Sequence, residues 1–358
     1  ETCSYYSVAV LEDLKVKPSP DWMKRRLEAC GIRAINNIVD VTNYVLLEYG
    51  QPLHSFDKDK LNGYLCVRRA NEGETIVTLD EVERKLNNDS VLIATKDAPV
   101  CVGGVFGGNN SGIDDNSKNI VLESAYFTPA CNRKSSRSIG YRSEASARFE
   151  RGVDIDKTKP ALFRAVQLLV ELADAKVSGI SETGSNILPE LYVELRFSQI
   201  EKVMGIAISA DDAVEILERL DFKLKERTAD KGVFIIPGAR RADVYREVDL
   251  IEEVARIYGY DKVEATLPNK TLACEVSYTD KLKKQIEQLF LGYGFYEAMS
   301  SSLIGEPLLK KFGLQYNKEQ AVKVKNAQSE DAAMLRQTLV ASMFEAFKNN
   351  FDNGNKDL

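Results

Sequence analysis

Short runs rich in β-branched and aromatic residues predict β-strands in the first half of the chain. Asn, Asp and Gly residues separate these runs, as expected of turns between strands. The runs are SYYSVAVL (residues 4–11), YLCVRRA (64–70), SVLIAT (90–95) and NIVLESAYF (119–127).

Helices are predicted before and after these strands. Ser19, as an N-cap, and Pro20, in the first turn, open one helix, which ends at Gly31. A second helix has Pro160 near its start and apolar residues at helical spacing. Its tail, AKVSGISETGSN (175–186), predicts an exit strand and a loop. The mixture of elements indicates an α/β or α+β domain.

The pattern changes near residue 188, where we predict a domain boundary. A helix from Ser209 to Leu220 follows, in which Ser209 and Asp212 fit an S-x-x-D capping box. After the strand VFIIP, an amphipathic helix ends at Gly259. Its apolar stripe consists of Leu250, Ile251, Val254, Ile257 and Tyr258.

A third segment begins with a predicted helix from Lys281 to Leu291. The strand-like run YEAMSSSLI (296–304) and the helical run MLRQTLVASMFEAFKNN (334–350) follow. The segment stops before it closes a core, so we expect the chain to be part of a longer protein. The predicted fold class is α+β and multidomain, with domains at residues 1–188, 189–268 and 269–358.

Length and composition exclude several classes of protein. At about 150 residues per domain, 358 residues suggest two or three domains. The 44% hydrophobic and 28% charged residues are typical of a soluble globular protein. No apolar run approaches the ~20 residues of a membrane-spanning helix. The net charge of −6 gives no general attraction to polyanions, so any nucleic-acid contact requires local basic patches.

The cysteines and the single histidine, His54, offer little metal or covalent chemistry. No CxxC pair is present, so zinc-finger spacing is absent, and the thiols are expected to be reduced in a cytosolic protein. His54 lies in GQPLHSFD and is either a structural turn residue or a functional one. Neither a G-x-S-x-G elbow nor a known cysteine signature accompanies it, which disfavours covalent catalysis. The cysteines are Cys3, Cys30, Cys66, Cys101, Cys131 and Cys274.

Two further segments are candidates for ligand contact. VGGVFGGNNSG (102–112) has five glycines, so its backbone either approaches a ligand closely or forms a plain hairpin. CNRKSSRSIGYRSEASARFERGVD (131–154) is dense in arginine, which suits contact with phosphates, although a solvated basic face has the same composition.

Acidic residues crowd the start of the second helix of the middle domain. Asp243 precedes the helix, and Asp249, Glu252 and Glu253 lie in its first turns. Negative charge at a helix N-terminus is favoured by the helix dipole, but like charges four residues apart repel each other. The pattern therefore leaves two interpretations open, a helix-dipole effect and a Mg²⁺ site with oxygen ligands.

Three long motifs resemble the beta chain of bacterial phenylalanyl-tRNA synthetase, and they stand in the family's order. By this resemblance the three domains would be a mixed α/β editing module, a small winged-helix-like module and the start of a class II synthetase catalytic-like module. The motifs are RAINNIVDVTNYVLLEYGQPLHSFD (33–57), RSEASARFERGVD (142–154) and RRADVYREVDLIEEVARIYGYDKV (240–263).

The resemblance also implies functional residues. Glu123 would read the hydroxyl of tyrosine, while His54 and Arg33 would orient the terminal adenosine of the tRNA or the attacking water. The implied editing pocket comprises Arg33, Thr42, Asn43, His54, Gly104, Gly107, Gly108, Glu123, Ser143 and Ala145. The implied magnesium ligands are Asp243, Asp249, Glu252 and Glu253, and the candidates for tRNA contact are Arg133, Lys134, Arg137 and Arg142.

The function implied by the resemblance has two parts. With an alpha subunit, in a tetramer of two alpha and two beta chains, the family attaches phenylalanine to tRNA(Phe), and its beta chain hydrolyses mischarged Tyr-tRNA(Phe). ATP would be used by the complete enzyme and not bound by this chain, Mg²⁺ would be shared with the alpha subunit, and tyrosine would be the editing ligand. The expected location is the cytoplasm, with no membrane contact. The alternative is a tRNA-binding scaffold without hydrolytic activity.

Overall fold

The structure is a computed structural model that describes residues 2–185, 187–267 and 275–356. The chain divides into two compact units, Glu1–Ala265 and Thr266–Leu358. Cys274 and the predicted boundary at residues 268 and 269 lie outside the described residues.

The strands are short apart from those of the central sheet. In chain order they are β1 (Cys3–Glu12), β2 (Leu53–Asp57), β3 (Cys66–Arg69), β4 (Thr75–Val77), β5 (Glu83–Lys85), β6 (Val91–Ala94), β7 (Pro99–Val102), β8 (Phe106–Gly107), β9 (Ile120–Phe127), β10 (Lys176–Gly184), β11 (Tyr192–Arg196), β12 (Lys223–Arg227), β13 (Lys231–Ile235), β14 (Leu303–Ile304) and β15 (Met334–Leu335).

Helices occur in both units, and none of those described is long and apolar enough to cross a bilayer. In chain order they are α1 (Asp21–Ala29), α2 (Asn37–Tyr49), α3 (Pro129–Ser138), α4 (Glu144–Phe149), α5 (Thr158–Ala173), α6 (Phe197–Met204), α7 (Ala210–Arg219), α8 (Glu247–Tyr258), α9 (Tyr278–Gly292), α10 (Glu306–Lys311) and α11 (Val340–Asp352).

An antiparallel sheet in the order β10-β1-β9-β2 lies at the centre of the first unit. Because side chains alternate across a strand, β9 contributes to two cores. Ile120 and Leu122 pack with α1, α2 and α5 on one face. Val121 and Ala125 pack on the other face with residues of a second sheet, in the order β3-β6-β7-β8.

Residues 193–254 form a separate core within the same unit. The sheet β11-β13-β12 packs against α7 and α8, and the rings of Phe222 and Phe234 are fully buried between them. The predicted apolar stripe is confirmed at Leu250, Ile251 and Val254, which are all buried. Its last turn is not buried, because Ile257 is exposed and Tyr258 is only partly buried.

The second unit has a smaller core. The two-stranded sheet β14-β15 packs near α10 and α11, and its core contains Ile304, Leu309, Met334 and Ala341. No residue of α9 is buried, although the helix is amphipathic. Large apolar side chains of α9 and α11 are therefore exposed within this unit.

Three local predictions were wrong in detail. Pro20, not Ser19, occupies the N-cap of α1, because the Ser19 hydroxyl donates instead to Asp40 Oδ2 at 2.6 Å. The strand predicted at 296–304 is confined to Leu303–Ile304. The helix predicted from residue 334 begins at Val340, because Met334 and Leu335 pair with β14.

Candidate functional site

Glu123 and His54 lie side by side on neighbouring strands. The antiparallel register of β2 and β9 places His54 opposite Glu123 and Phe56 opposite Val121. Opposed residues of an antiparallel pair point to the same face of the sheet. Both side chains therefore lie on the face of Phe56 and Val121, which pack against the second sheet.

A cavity of about 210 Å³ lies on this face of the sheet. The cavity brings together segments that are far apart in sequence, from α2, β2, the β7–β8 hairpin, β9 and the start of α4. The predicted editing residues that line it are Thr42, Asn43, His54, Gly104, Gly107, Glu123, Ser143 and Ala145.

Two glycines of the β7–β8 hairpin allow its close approach to neighbouring side chains. A Cβ on Gly107 would lie 2.7 Å from Cε1 of His54. A Cβ on Gly104, which has φ +68°, would lie 2.5 Å from Nδ2 of Asn132 and 2.8 Å from Cδ2 of Phe149. Any larger residue would displace these side chains. The segment is thus both a glycine-rich hairpin and a wall of the cavity.

Glu123 is a buried acid without an ionic partner among the described residues. Its Oε2 atom has no hydrogen-bond partner there, and burial raises the pKa of the carboxyl to about 8. The carboxyl is therefore mainly protonated at pH 7 and offers both an O–H donor and an acceptor oxygen.

His54 is also neutral at pH 7, for the same physical reason. Burial lowers the pKa of its imidazole to about 4. Its ring packs edge-to-face against Phe56, with 4.6 Å between the ring centroids. A neutral imidazole donates one hydrogen bond and accepts another, so His54 is able to orient a polar group without carrying charge.

Local capping fixes the helix that carries Thr42 and Asn43. The Asn36 side chain accepts hydrogen bonds from the backbone N–H groups of Ile38 and Val39 at the start of α2. The Thr42 hydroxyl donates to the carbonyl of Val39 at 2.7 Å, which leaves its oxygen as an acceptor.

Capping also fixes the position of Ser143 and Ala145. The Ser143 hydroxyl accepts from the Ser146 backbone N–H at 3.0 Å, and the Ser146 hydroxyl accepts from the Ser143 backbone N–H at 2.8 Å. This reciprocal capping box starts α4. Phe149, at the end of α4, packs edge-to-face on Phe127 and anchors the helix beside the cavity.

Two predicted pocket residues, Arg33 and Gly108, do not line this cavity. Arg33 is exposed in the segment before α2. Gly108 instead closes the hairpin, because its N–H donates to the carbonyl of Val100 at 2.8 Å and a Cβ would meet that carbonyl.

The apolar walls were not predicted. Several of these residues lie within the quoted motifs, but their types suit any core, so they were not singled out as site residues. One of them, Cys101, could have been found from strand pairing, because it lies opposite the predicted pocket residue Gly107 in the β7–β8 hairpin. The unpredicted lining residues include Leu46, Pro52, Leu79, Cys101, Phe106 and Phe149.

An apolar cavity with a neutral acid and a neutral imidazole suits a small apolar ligand that carries a polar group. Covalent catalysis finds little support here. Burial and the neighbouring Glu123 raise the pKa of the Cys101 thiol well above its ordinary value, so the thiol is a poor nucleophile. The site is better suited to binding and orienting groups than to attacking them.

Comparison with known protein families matches three successive regions of the chain. Residues 2–174 match the B3/4 domain, residues 193–260 match the tRNA synthetase B5 domain, and residues 263–358 match the phenylalanyl-tRNA synthetase beta chain CLM domain. The chain belongs to the phenylalanyl-tRNA synthetase beta-chain family.

Individual relatives agree with this assignment. The chain is 38% identical to the phenylalanine--tRNA ligase beta subunit of Geobacter metallireducens, over 98% of the chain and 44% of the relative. It is 41% identical to that of Halalkalibacterium halodurans, over 97% of the chain and 43% of the relative. The chain thus spans less than half the length of these relatives.

A solved structure was also matched. It is an N-terminal fragment of the phenylalanyl-tRNA synthetase beta subunit from Pyrococcus horikoshii, with a TM-score of 0.34 and 16% identity over 72% of each chain.

The acids implied as magnesium ligands are held by arginines. Glu253 accepts from Arg240 at 2.7 Å and from Arg256 at 2.6 Å. Arg240 also pairs with Asp243 at 2.9 Å. The Arg240 guanidinium, ahead of the opposing effect of burial, lowers the pKa of Glu253.

Asp249 acts as a cap and Glu252 is exposed. Burial alone would raise the pKa of Asp249, but hydrogen bonds from Arg246 and from the backbone N–H groups of Tyr245 and Arg246 lower it. Within residues 2–185, 187–267 and 275–356, no three His, Cys, Asp or Glu side chains are grouped to hold a metal ion. This arrangement does not fit a resident Mg²⁺.

The four candidates for tRNA contact have different surroundings. Lys134 lies 3.7 Å from Asp89, and Arg142 donates to Glu150 Oε1 at 2.9 Å. Arg133 donates only to the backbone carbonyl of Glu150, and Arg137 has no partner among the described residues.

Proposed function

We propose that this chain carries the editing site of a phenylalanyl-tRNA synthetase and hydrolyses the ester of tyrosine wrongly attached to tRNA(Phe). The observation that supports the proposal best is Glu123, a buried carboxyl with an unpartnered oxygen in an apolar cavity. Such a group costs stability unless a ligand pairs with it.

The chemistry of the two amino acids explains why this residue matters. A pocket made for phenylalanine rejects tyrosine only weakly, by roughly 10²-fold, because tyrosine merely adds a hydroxyl. A second site that pairs with the hydroxyl discriminates better, since phenylalanine would leave Glu123 unpaired. The carbonyl oxygen of the protonated Glu123 carboxyl is able to accept a hydrogen bond from the phenol O–H. The carboxyl O–H is able to donate a hydrogen bond to the phenol oxygen.

Hydrolysis of the activated ester requires a positioned water and a polarised carbonyl. In this proposal the neutral His54 and the Thr42 oxygen orient the ester end or the water, with Asn43 and Ser143 beside them. Backbone N–H groups of the hairpin at Gly104 lie near the ester carbonyl. No general base is assigned, and a hydroxyl of the tRNA ribose is able to orient the water.

Aminoacylation belongs, in this proposal, to the alpha subunit. Two alpha and two beta chains would form the complete cytoplasmic enzyme, which would use ATP. Residues 1–188 would form the editing module, 189–268 a winged-helix-like module and 269–358 the start of a class II catalytic-like module through which the alpha chain associates. Shared Mg²⁺ stays a prediction of the resemblance, and no step is derived through it.

Hydrolysis of Tyr-tRNA(Phe) and Phe-tRNA(Phe) by the complete enzyme tests the editing proposal. Because Glu123→Ala removes the neutral carboxyl that pairs with the hydroxyl, it should reduce the preference for Tyr-tRNA by about two- to tenfold for each hydrogen bond that is lost. His54→Ala should slow hydrolysis while it leaves binding of free tyrosine nearly unchanged.

Glu28→Ala, which alters an exposed glutamate of α1, is the matched control and should behave as wild type. An undiminished preference for Tyr-tRNA in the Glu123 variant would show that the hydroxyl is read elsewhere. Absence of hydrolysis in the wild type would favour the scaffold alternative.

A further inference from the structure

A second concave surface lies beside the cavity, and arginines dominate it. This arginine hollow, of about 520 Å³, is lined by Pro129, Arg133, Arg137, Glu150, Arg151 and Ala242. Arg133 and Arg137 are one helical turn apart on α3, so their guanidinium groups lie on one face of the helix. Arg151 reaches the same hollow from the end of α4.

The charges of the hollow are largely uncompensated. The side chains of Arg137 and Arg151 make no ion pair or hydrogen bond with any residue that the structure describes. Arg133 contacts only a neutral acceptor, the Glu150 carbonyl at 2.9 Å. The carboxylate of Glu150 is paired with Arg142, which lies outside the lining. Most other arginines of the first unit, in contrast, pair with acids.

We propose that the arginine hollow binds backbone phosphates of the tRNA whose aminoacyl end occupies the cavity. This inference rests on the proposed function and adds Arg151, from the arginine-dense segment 131–154, to the candidates for tRNA contact. The planar guanidinium of arginine binds two phosphate oxygens at once, whereas the ammonium group of lysine acts as a point charge.

The position of the hollow favours RNA over an acidic protein. The helices α3 and α4 connect the two sites. Phe149 lines the cavity, and Arg151, two residues further and thus within about 7 Å along the chain, lines the hollow. On α3, Asn132 donates to the carbonyl of Gly103 in the cavity wall, while the adjacent Arg133 faces the hollow. A strand that enters the cavity would pass this surface.

The test is the salt dependence of tRNA(Phe) binding by the complete enzyme. Removal of one phosphate contact should reduce the slope of log affinity against log salt concentration by about 0.7 to 0.9. We expect that reduction for Arg137→Gln and for Arg151→Gln, and about twice that for the double variant. Arg25→Gln removes the same charge from an exposed, unpartnered arginine on α1 and should leave the slope unchanged.

Tyrosine binding and melting temperature serve as folding controls, and both should match wild type in these variants. A slope equal to that of Arg25→Gln would overturn the proposal. So would impaired assembly with the alpha subunit at an unchanged RNA slope, which would identify the hollow as a protein contact. The preference of the Glu123→Ala variant for Tyr-tRNA is measured separately. The phosphate-binding proposal and the editing proposal can therefore fail independently of each other.

Discussion

Burial shifts the pKa values of Glu123 and His54, two titratable side chains of the cavity, in opposite directions, and in both cases it favours the neutral form. It raises the pKa of the Glu123 carboxyl and lowers that of the His54 imidazole, because a charged group loses hydration when it is enclosed. Among the residues that the structure describes, neither side chain has an opposite charge beside it to reverse this effect. Glu123 and His54 therefore add no charge to the cavity at neutral pH, which suits an aromatic side chain with a terminal hydroxyl.

Replacing Glu123 with Gln should stabilise the protein, and the gain should increase with pH. The folded-state pKa, about 8, lies above the ordinary value of 4.5. Between these values the folded protein keeps a proton that the unfolded chain has released, so wild-type stability falls as pH rises. The neutral glutamine releases no proton, so the variant does not lose stability in this way. At about 1.4 kcal/mol per pKa unit, its free energy of unfolding above pH 8 should exceed that of wild type by at most about 5 kcal/mol.

Urea unfolding of wild type and Glu123→Gln at pH 5 and pH 8.5 measures this difference. Glu28→Gln is a suitable control, since it makes the same change at an exposed site. A difference in the free energy of unfolding that is the same at both pH values would contradict the prediction.

At the scale of the element, the acidic residues Asp249 and Glu253 of helix α8 pair with arginines. Asp249 caps the helix start through backbone N–H groups, and Glu253 joins Arg240 to Arg256 across the buried side of the helix. The repulsion expected between Asp249 and Glu253, four residues apart, is relieved because each acid has its own guanidinium partner.

Glu253→Gln should destabilise the complete enzyme equally with Mg²⁺ and with a chelator. It removes the charge that both arginines contact, and hydrogen bonds to a charged group contribute roughly 1.5 to 3 kcal/mol. Thermal unfolding with magnesium and with EDTA is the measurement, and Glu252→Gln, at an exposed neighbour, is the control. A loss that occurs only with magnesium would support the metal site that the resemblance implies.

At the scale of the whole molecule, the two units differ in how completely they bury their apolar residues. The first contains separate cores on both faces of its central sheet and in residues 193–254. The second has a small core, and α9 and α11 expose apolar side chains such as Leu289, Phe344 and Phe347. This agrees with a chain that spans less than half the length of its relatives.

The purified chain should not form Phe-tRNA from phenylalanine, ATP and tRNA(Phe). The proposed catalytic site belongs to the alpha subunit, and the described residues of the second unit offer no enclosed core around a comparable site. The measurement is charging of tRNA with labelled phenylalanine, with the complete enzyme as positive control. Charging by this chain alone would show that aminoacylation does not depend on the alpha subunit.

Local patterns in the sequence predicted about half of the described strands and helices. Helix α7 with its Ser209 cap, the stripe of α8 and the strand that carries Glu123 follow from short-range spacing, which acts within a few residues. The resemblance of the motifs marked most of the polar residues and glycines of the cavity before the fold was known.

Only the tertiary structure decided the charges and partners of these residues. The pairing of β2 with β9 places His54 against Glu123, and the enclosure by a second sheet keeps both neutral, although the sequence alone suggests a carboxylate. Arg33 does not line the cavity. Long-range contacts give Glu253 its partner Arg240 and bring Arg151 to the arginine hollow. Burial and charge pairing depend on which distant segments meet, and no spacing along the chain encodes that directly.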